Sequence, residues 1–340
     1  MGSLMQGWKI SLSVVCAIAW LSAGNAVAQQ PNIDAAKKEG RVVVYGAQVP
    51  QAMKPLHAAF EKKYGISVEY WRGSSTGVSE RALTEWRAGK PGFDVVEGNR
   101  GVQLIMRDEG LFQKYVPPSS EKFPAQFKEK DGMITPWRVL PISILYNTDM
   151  VKPGELPKTF DDLATAKWSG KITMPDPTRH TTTAQFLWNL KEFKGDKWLD
   201  LVKALASQRP LLVESLAPVT TTIIKGEAPV GITYIKYVKQ YKGPVGYVLM
   251  DKYLSDPNYM SLSAKAANPN AAKLYLEFIT SAEGQKLVAE EGEFVLYPGV
   301  LPPIKDADKV APNMIFMENP SEDEFKKLMT GTFRDIFFKK

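Results

Sequence analysis

Hydroxyl-bearing residues and glycines gather at the turns where strand-like runs give way to helical ones. Gly46-Ala47-Gln48 follows the apolar run 41–45, Gly73-Ser74-Ser75-Thr76-Gly77 follows 66–71, and Gly98-Asn99-Arg100-Gly101 follows 93–96. Later, Arg179-His180-Thr181-Thr182-Thr183 opens a helical stretch, and Ser215 follows the run 211–213. The start of a helix offers free N–H groups and about half a positive charge, and small hydroxyl residues add donors without blocking approach. Ordinary N-capping by Ser or Thr is the competing explanation of each turn taken singly. Two such turns facing each other predict a grip on a small anion from both sides. The residues expected to line it are Gln48, Ser74, Ser75, Thr76, Asn99, Thr181, Thr182, Thr183 and Ser215.

Other chemistry finds less support. Residues 73–77 match Gly-x-Ser-x-Gly between a strand and a helix, where a nucleophile elbow would place Ser75. Such a serine needs a histidine base, and His180 is the only histidine downstream, itself in a helix-opening turn with no carboxylate fixed beside it. The residues therefore predict no enzyme, a secreted hydrolase on the same scaffold being the alternative of another class. His57 and His180 are the only histidines, and no His/Asp/Glu cluster has ligand spacing, so neither metal nor cofactor is expected. Tyr146, Tyr234 and Tyr237 remain as phenolic oxygens suited to a hard trivalent cation; a free tyrosine has pKa about 10, so a metal would have to drive the ionisation. Tyr234, Tyr237 and Tyr146 are otherwise expected as rings walling a cleft.

The chain begins with Lys9, an apolar run over 10–21, and Ala26-Val27-Ala28. This is the pattern of a secretory signal peptide over 1–28, too short for a permanent membrane helix, and it predicts a periplasmic protein. Cys16, the single cysteine, lies inside that run, so the mature chain is expected to carry no thiol. The formal net charge of +6 is spread among acids, as in Glu61-Lys62-Lys63, with no basic block or aromatic-interleaved stripe. Nucleic acid is excluded on that ground, while a mild positive field suits an anionic ligand.

The elements needed to hold these turns alternate. Strands at 41–45, 66–71 and 93–96 are separated by helices, the first with Met53, Leu56, Phe60 and Tyr64 at helical spacing and stopped by Gly65. After a Pro- and charge-rich passage at 116–131 comes a long apolar run at 139–146. A second series follows: strands at 171–174, 211–213, 230–233 and 245–250, with helices over 181–193 and around 198–205. A helix over 270–280 and a last helix opened by the capping box Ser321-x-x-Glu324 complete the chain. Two α/β lobes are the simplest account of this alternation and of a chain too long for one core.

The stretch Ala35-Ala36-Lys37-Lys38-Glu39-Gly40-Arg41-Val42-Val43-Val44-Tyr45-Gly46, with Ile144-Leu145-Tyr146-Asn147-Thr148, Trp168-Ser169-Gly170-Lys171-Ile172 and Lys225-Gly226-Glu227-Ala228-Pro229-Val230, resembles the family 1 extracellular solute-binding proteins of ABC importers. The resemblance spans the mature chain and is strongest to the ferric-iron-binding and aminoethylphosphonate-binding branch. It implies the type II periplasmic binding fold, two lobes joined by a hinge with ligand in the cleft between them, and delivery to an ABC permease in the inner membrane. The implied division is 29–143 plus 257–298 in one lobe and 144–256 plus 299–340 in the other, with hinge strands near 139–144 and 259–263 and a monomeric state. Iron-binding members carry adjacent tyrosines where this chain reads Tyr234-Ile235-Lys236-Tyr237. An organic carboxylate, phosphonate or phosphate ester is thus expected, with Fe3+ held by Tyr146, Tyr234 and Tyr237 as the alternative cargo.

Overall fold

The strands are β1 (Arg41–Gly46), β2 (Ser67–Arg72), β3 (Val95–Asn99), β4 (Thr135–Asn147), β5 (Ile172–Pro175), β6 (Leu211–Val213), β7 (Val230–Tyr234), β8 (Val245–Tyr247), β9 (Tyr253–Leu262), β10 (Phe294–Val295) and β11 (Met314–Phe316). This computed structural model describes Gly2 and residues 30–339; the signal-peptide expectation and Cys16 lie outside the described residues. Among the described residues these strands form one continuous sheet in the order β2-β1-β3-β9-β4-β7-β5-β6, with β8 and β10 added on β4 and β11 on β9.

The sheet has two halves because one strand serves both. Residues Thr135 to Pro141 of β4 pair with β9, and the next residue, Ile142, already pairs with Tyr234 of β7. In the first half β1 runs parallel to β2 and β3, and in the second β5 runs parallel to β6 and β7. Helices cover both faces of the first half, so its strands bury alternate residues on opposite sides: Val42, Val44 and Val95 face one core, Tyr45 and Val96 the other. That two-sided burial explains the nearly unbroken apolar runs. In the second half Ile142 and Ile144 enter the larger core, while Leu145 packs with Val219 and Ile223 on the opposite face. Gly231 is required there: a Cβ would lie 2.7 Å from both Thr173 Cγ2 and Val219 Cγ1.

Local signals placed several boundaries. Gly65, at φ 69, ends the helix Pro50–Tyr64 in the left-handed conformation and returns its N–H to the Glu61 carbonyl. The expected helix over 181–193 divides into Thr181–Asn189 and Lys191–Lys194, where the Asn189 side chain donates to the Gln185 carbonyl and turns the chain. Ser321 Oγ accepts from the Glu324 N–H, but the Glu324 carboxylate accepts from the Trp188 indole, so the capping box is only half formed.

One expectation about the crossing needs correction. Residues 258–262 pair with β3 inside the first half, so the return strand crosses earlier, where Ser255 and Asp256 sit opposite Pro141 and Leu140. Within the tail over 299–340, β11 pairs with Tyr253, Leu254 and Ser255 of β9, and Ile315, Met317, Leu328 and Phe333 pack in or against the larger core. Between two parallel units, an edge strand finds its partners on whichever crossing strand still has free N–H and C=O groups.

Candidate functional site

In a parallel sheet the helices that follow the strands begin at the strands' carboxyl ends, and ligands bind there. Helix Ser75–Arg87 follows β2 and Arg100–Asp108 follows β3, while Thr181–Asn189 and Leu216–Ile224 follow β5 and β6. These four helix starts, two from each half, lie at the carboxyl ends of parallel strands.

Much of the hydroxyl chemistry expected at these turns is spent on capping. Ser74 Oγ accepts from the Gly77 N–H at 3.1 Å, and Asn99 Oδ1 accepts from the Val102 N–H at 3.2 Å. His180 Nδ1 accepts from the Thr183 N–H at 3.2 Å and lies 2.9 Å from the Thr183 hydroxyl. Burial pushes His180 down to about 4, so it is a neutral cap at pH 7. Ser75 is the first residue of an ordinary capped helix, half-buried, and Ser74 supplies the extended turn before it. Thr76 and Thr181 are exposed, and Ser215 stands at a cap position without making the side-chain bond.

The seam itself holds a buried charged cluster. Glu97, at the third position of β3, accepts from the Ala47 and Gln48 N–H groups with one oxygen and from Arg138 Nη2 at 3.1 Å with the other. Arg138 Nη2 also donates to Asn258 Oδ1 at 2.8 Å. Arg138 Nη1 lies 2.9 Å from Glu293 Oε1 but off the N–H direction, which makes the contact an ion pair without a hydrogen bond. The same Glu293 oxygen accepts from Lys236 Nζ at 2.8 Å, from Gln48 Nε2, and from Gln240 Nε2 at 3.3 Å. Tyr234 donates to Asp256 Oδ2 at 2.8 Å, with the Thr182 side chain against the same hydroxyl. Arg138, Glu97, Glu293 and Asp256 are each at most 3% exposed.

Burial and charge set the protonation states. Burial alone would raise Glu293, but Arg138 and then Lys236 outweigh it and hold the carboxyl down at about 2. Burial pushes Asp256 up to about 6, although Tyr234 and Arg138 pull the other way. Lys236 is lowered by burial, and Tyr234 and Tyr237 are raised by it, so both phenols are neutral at pH 7. The sign for stability follows. A carboxyl held above its unfolded value binds its proton more tightly when folded, so it favours folding below about pH 4 and that contribution is lost as pH rises through 6. Asp256→Asn removes the effect: relative to that variant, the wild type is expected to gain on the order of 2 kcal/mol in stability between pH 7 and pH 4. His57, also lowered to about 4 by burial, and His180 act oppositely but cancel in this difference. Denaturant titrations of both proteins at the two pH values check it, and a pH-independent difference contradicts it.

A cleft of about 410 Å3 opens beside the cluster, lined by Gln48 and Gln51 from the first half and Ala217, Lys236, Tyr237 and Gln240 from the second. Of the expected residues, Gln48, Thr182, Tyr234 and Tyr237 meet the cluster or its cleft. Tyr146 does not. It pairs with Val230 while Tyr234 pairs with Ile142, four residues along β4, so its ring lies at the opposite end of β7, against Gly246. The cause is strand direction: β4 runs antiparallel to β7, so the end of the one is the beginning of the other. Tyr234 is the last residue of β7, and Tyr237 opens the short helix Tyr237–Gln240, so the two tyrosines do not share one helix; their ring centroids are 6.0 Å apart. Among the described residues no group of three or more His, Cys, Asp or Glu could hold a metal. Glu97, Arg138, Lys236, Asp256 and Glu293 were not expected from the sequence; the available signal was a charged residue inside an apolar strand, as in Trp137-Arg138-Val139.

Comparison with known proteins agrees with this architecture. The family model described as "Bacterial extracellular solute-binding protein" matches residues 90–326, more than half of the chain. The chain is 22% identical over 296 residues to the Fe(3+)-binding periplasmic protein of Serratia marcescens, covering 81% of this chain and 86% of that one. Among solved structures, the substrate-binding protein of an ABC transporter from Agrobacterium tumefaciens superposes with a TM-score of 0.76 at 18% identity, over 90% of this chain and 97% of that one. The periplasmic binding protein AfuA from Actinobacillus pleuropneumoniae, holding fructose-6-phosphate, gives a TM-score of 0.67 at 22% identity, over 88% and 96%. These structural likenesses show the fold, the two-lobed α/β architecture of type II periplasmic binding proteins. With the family match spanning both halves of the sheet, the chain belongs to the bacterial extracellular solute-binding protein family.

Proposed function

We propose that this protein is the periplasmic ligand-capturing component of an ABC importer, and that it holds a small anion, an organic carboxylate, phosphonate or phosphate ester, between its two halves for delivery to a membrane permease. The observation that carries the reading is the cleft between the halves, lined by Gln48 and Gln51 from one and by Ala217, Lys236, Tyr237 and Gln240 from the other. The lobes are residues 30–141 with 256–298 and residues 142–255 with 299–339; the exchange of partners between Pro141 and Ile142, and the packing of Ile304, Ala307 and Val310 with Ile235 and Tyr253, support that division and make β4, β9 and the segment after β10 the hinge. Ser75 and Thr182 reach the ligand from the two sides, and Tyr237 walls it.

The relatives named above divide between ferric iron and a sugar phosphate. The arrangement here favours the anion. Tyr146 is remote from the other two tyrosines, so the three phenolic oxygens do not converge on one metal ion. A thermal-shift screen tests the choice: ligand at 100 times its Kd stabilises by about 2.7 kcal/mol. At least one of acetate, succinate, methylphosphonate, glycerol phosphate or fructose-6-phosphate is expected to raise the melting temperature, and ferric citrate to add neither stability nor visible-range phenolate-to-iron colour beyond citrate alone. A coloured ferric complex with no anion response overturns the reading.

A further inference from the structure

The two halves are joined across the seam by contacts that need no ligand. Glu293 precedes β10, whose Phe294 and Val295 pair with Val139 and Arg138 in the first-half stretch of β4. Its Oε1 receives Lys236 Nζ at 2.8 Å and Gln240 Nε2 at 3.3 Å, both from beyond the end of β7 in the second half. Gln240 Nε2 also donates to the Glu291 carbonyl at 2.9 Å, so neighbouring positions of one first-half segment are gripped twice. Gln48 and Arg138, on Glu293's own side, hold the carboxylate in place. Lys236 and Glu293 are 5% and 1% exposed. A rotation about β4 and β9 that parts the halves would part these groups as well.

We infer that Lys236, Gln240 and Glu293 form a clasp that holds the halves together before any solute arrives, so that ligand completes a closure the protein has already begun. The inference rests on the hinged, two-lobed reading above. The physical argument is one of populations. A contact made only in the closed form raises the closed fraction whether or not ligand is present, and the apparent affinity of a binding-competent closed form rises with that fraction. A buried ion pair alone is weak evidence of stabilisation, because desolvation offsets attraction. Here Glu293 is pre-held by Arg138 and Gln48, so part of its desolvation is already met in the open form, and Lys236 and Gln240 add to a carboxylate fixed in place. Lys236 is thereby a positioning residue: it sets the lobe equilibrium and need not touch the solute.

The test is small-angle scattering of protein unfolded, dialysed free of small molecules and refolded, comparing wild type, Lys236→Met and Lys236→Arg, with circular dichroism and thermal unfolding confirming that each is folded. Lys236→Met keeps length and apolar stem and leaves Glu293 paired with Arg138, so folding is retained. The closed-to-open ratio is expected to fall roughly tenfold in Lys236→Met, within the usual range of coupling between two states, which shows as a larger radius of gyration. Lys236→Arg is expected to stay near the wild-type radius, because it keeps the charge. A Lys236→Met radius equal to that of wild type overturns the clasp, as does equal expansion of the Arg and Met variants. Since no ligand is present, failure here is separate from failure of the anion screen: the screen can succeed with the clasp refuted, and the radii can shift whatever the solute.

Discussion

Arg138→Met is expected to destabilise the protein by about 3 to 5 kcal/mol at pH 7, the usual effect of removing one partner from a buried ion pair. Among the described residues Arg138 is the single cation touching both Glu97 and Glu293, and its Nη2 also satisfies Asn258. Without it Glu97 keeps only the Ala47 and Gln48 N–H groups, and its Oε1 is left buried without a donor. Lys236 still reaches Glu293, so the larger part of the loss falls on Glu97. Chemical denaturation measures it directly: the midpoint should fall while the slope stays near that of wild type. Adding Glu97→Gln should recover part of the loss, because the uncompensated charge goes with it, and the coupling between the two positions should exceed 0.5 kcal/mol, above the roughly 0.3 to 0.5 within which independent sites add. A loss under about 1 kcal/mol would mean that water reaches the cluster freely, contrary to a sealed floor between the halves.

The fold was largely legible in the sequence because its signals are local. Gly65 marks a helix end by its own left-handed backbone, and the spacing of Met53, Leu56 and Phe60 puts one face of that helix in the core whatever it packs on. The run ending at Tyr146 reads as a strand because both of its faces are covered. The hinge was legible only in part. Residues 139–144 contain the partner exchange, but the return crossing was expected too late, since β9 is buried along its whole length, its polar Ser255, Asp256 and Asn258 included, and its pattern does not mark where it leaves β3 for the crossing. The floor of the cleft was not legible. Glu293 meets Gln48 across 245 positions and Arg138 meets Asn258 across 120, and a charge within a strand reads as solvent-facing until the neighbouring strands are known. Tyr146 shares its chemistry with Tyr234 and Tyr237, yet the antiparallel run of β4 carries it to the opposite end of β7. Of the turn residues, Thr182 and Gln48 come to the cluster, while Ser74, Asn99 and Thr183 are drawn into capping.

The second large effect concerns the grip itself. Ser75 opens a helix of the first half and Thr182 lies in the first turn of a helix of the second, so an anion held between the halves loses a donor from opposite sides when either hydroxyl is removed. A charge-assisted hydrogen bond contributes about 1.5 to 3 kcal/mol, which corresponds to roughly 10- to 100-fold in affinity. Ser75→Ala and Thr182→Ala should each show that loss, and the double variant should approach their product, since sites without a shared protein partner add. Stability of the ligand-free protein should change by no more than about 1.5 kcal/mol, the contribution of a single neutral hydrogen bond at Tyr234. The decisive measurement is isothermal titration of the anion giving the largest thermal shift into wild type and both single variants. Weakening by roughly 10- to 100-fold in Ser75→Ala and in Thr182→Ala alike is the result expected of a solute gripped from both lobes; unchanged affinity in both variants would place the solute elsewhere and contradict capture between the halves.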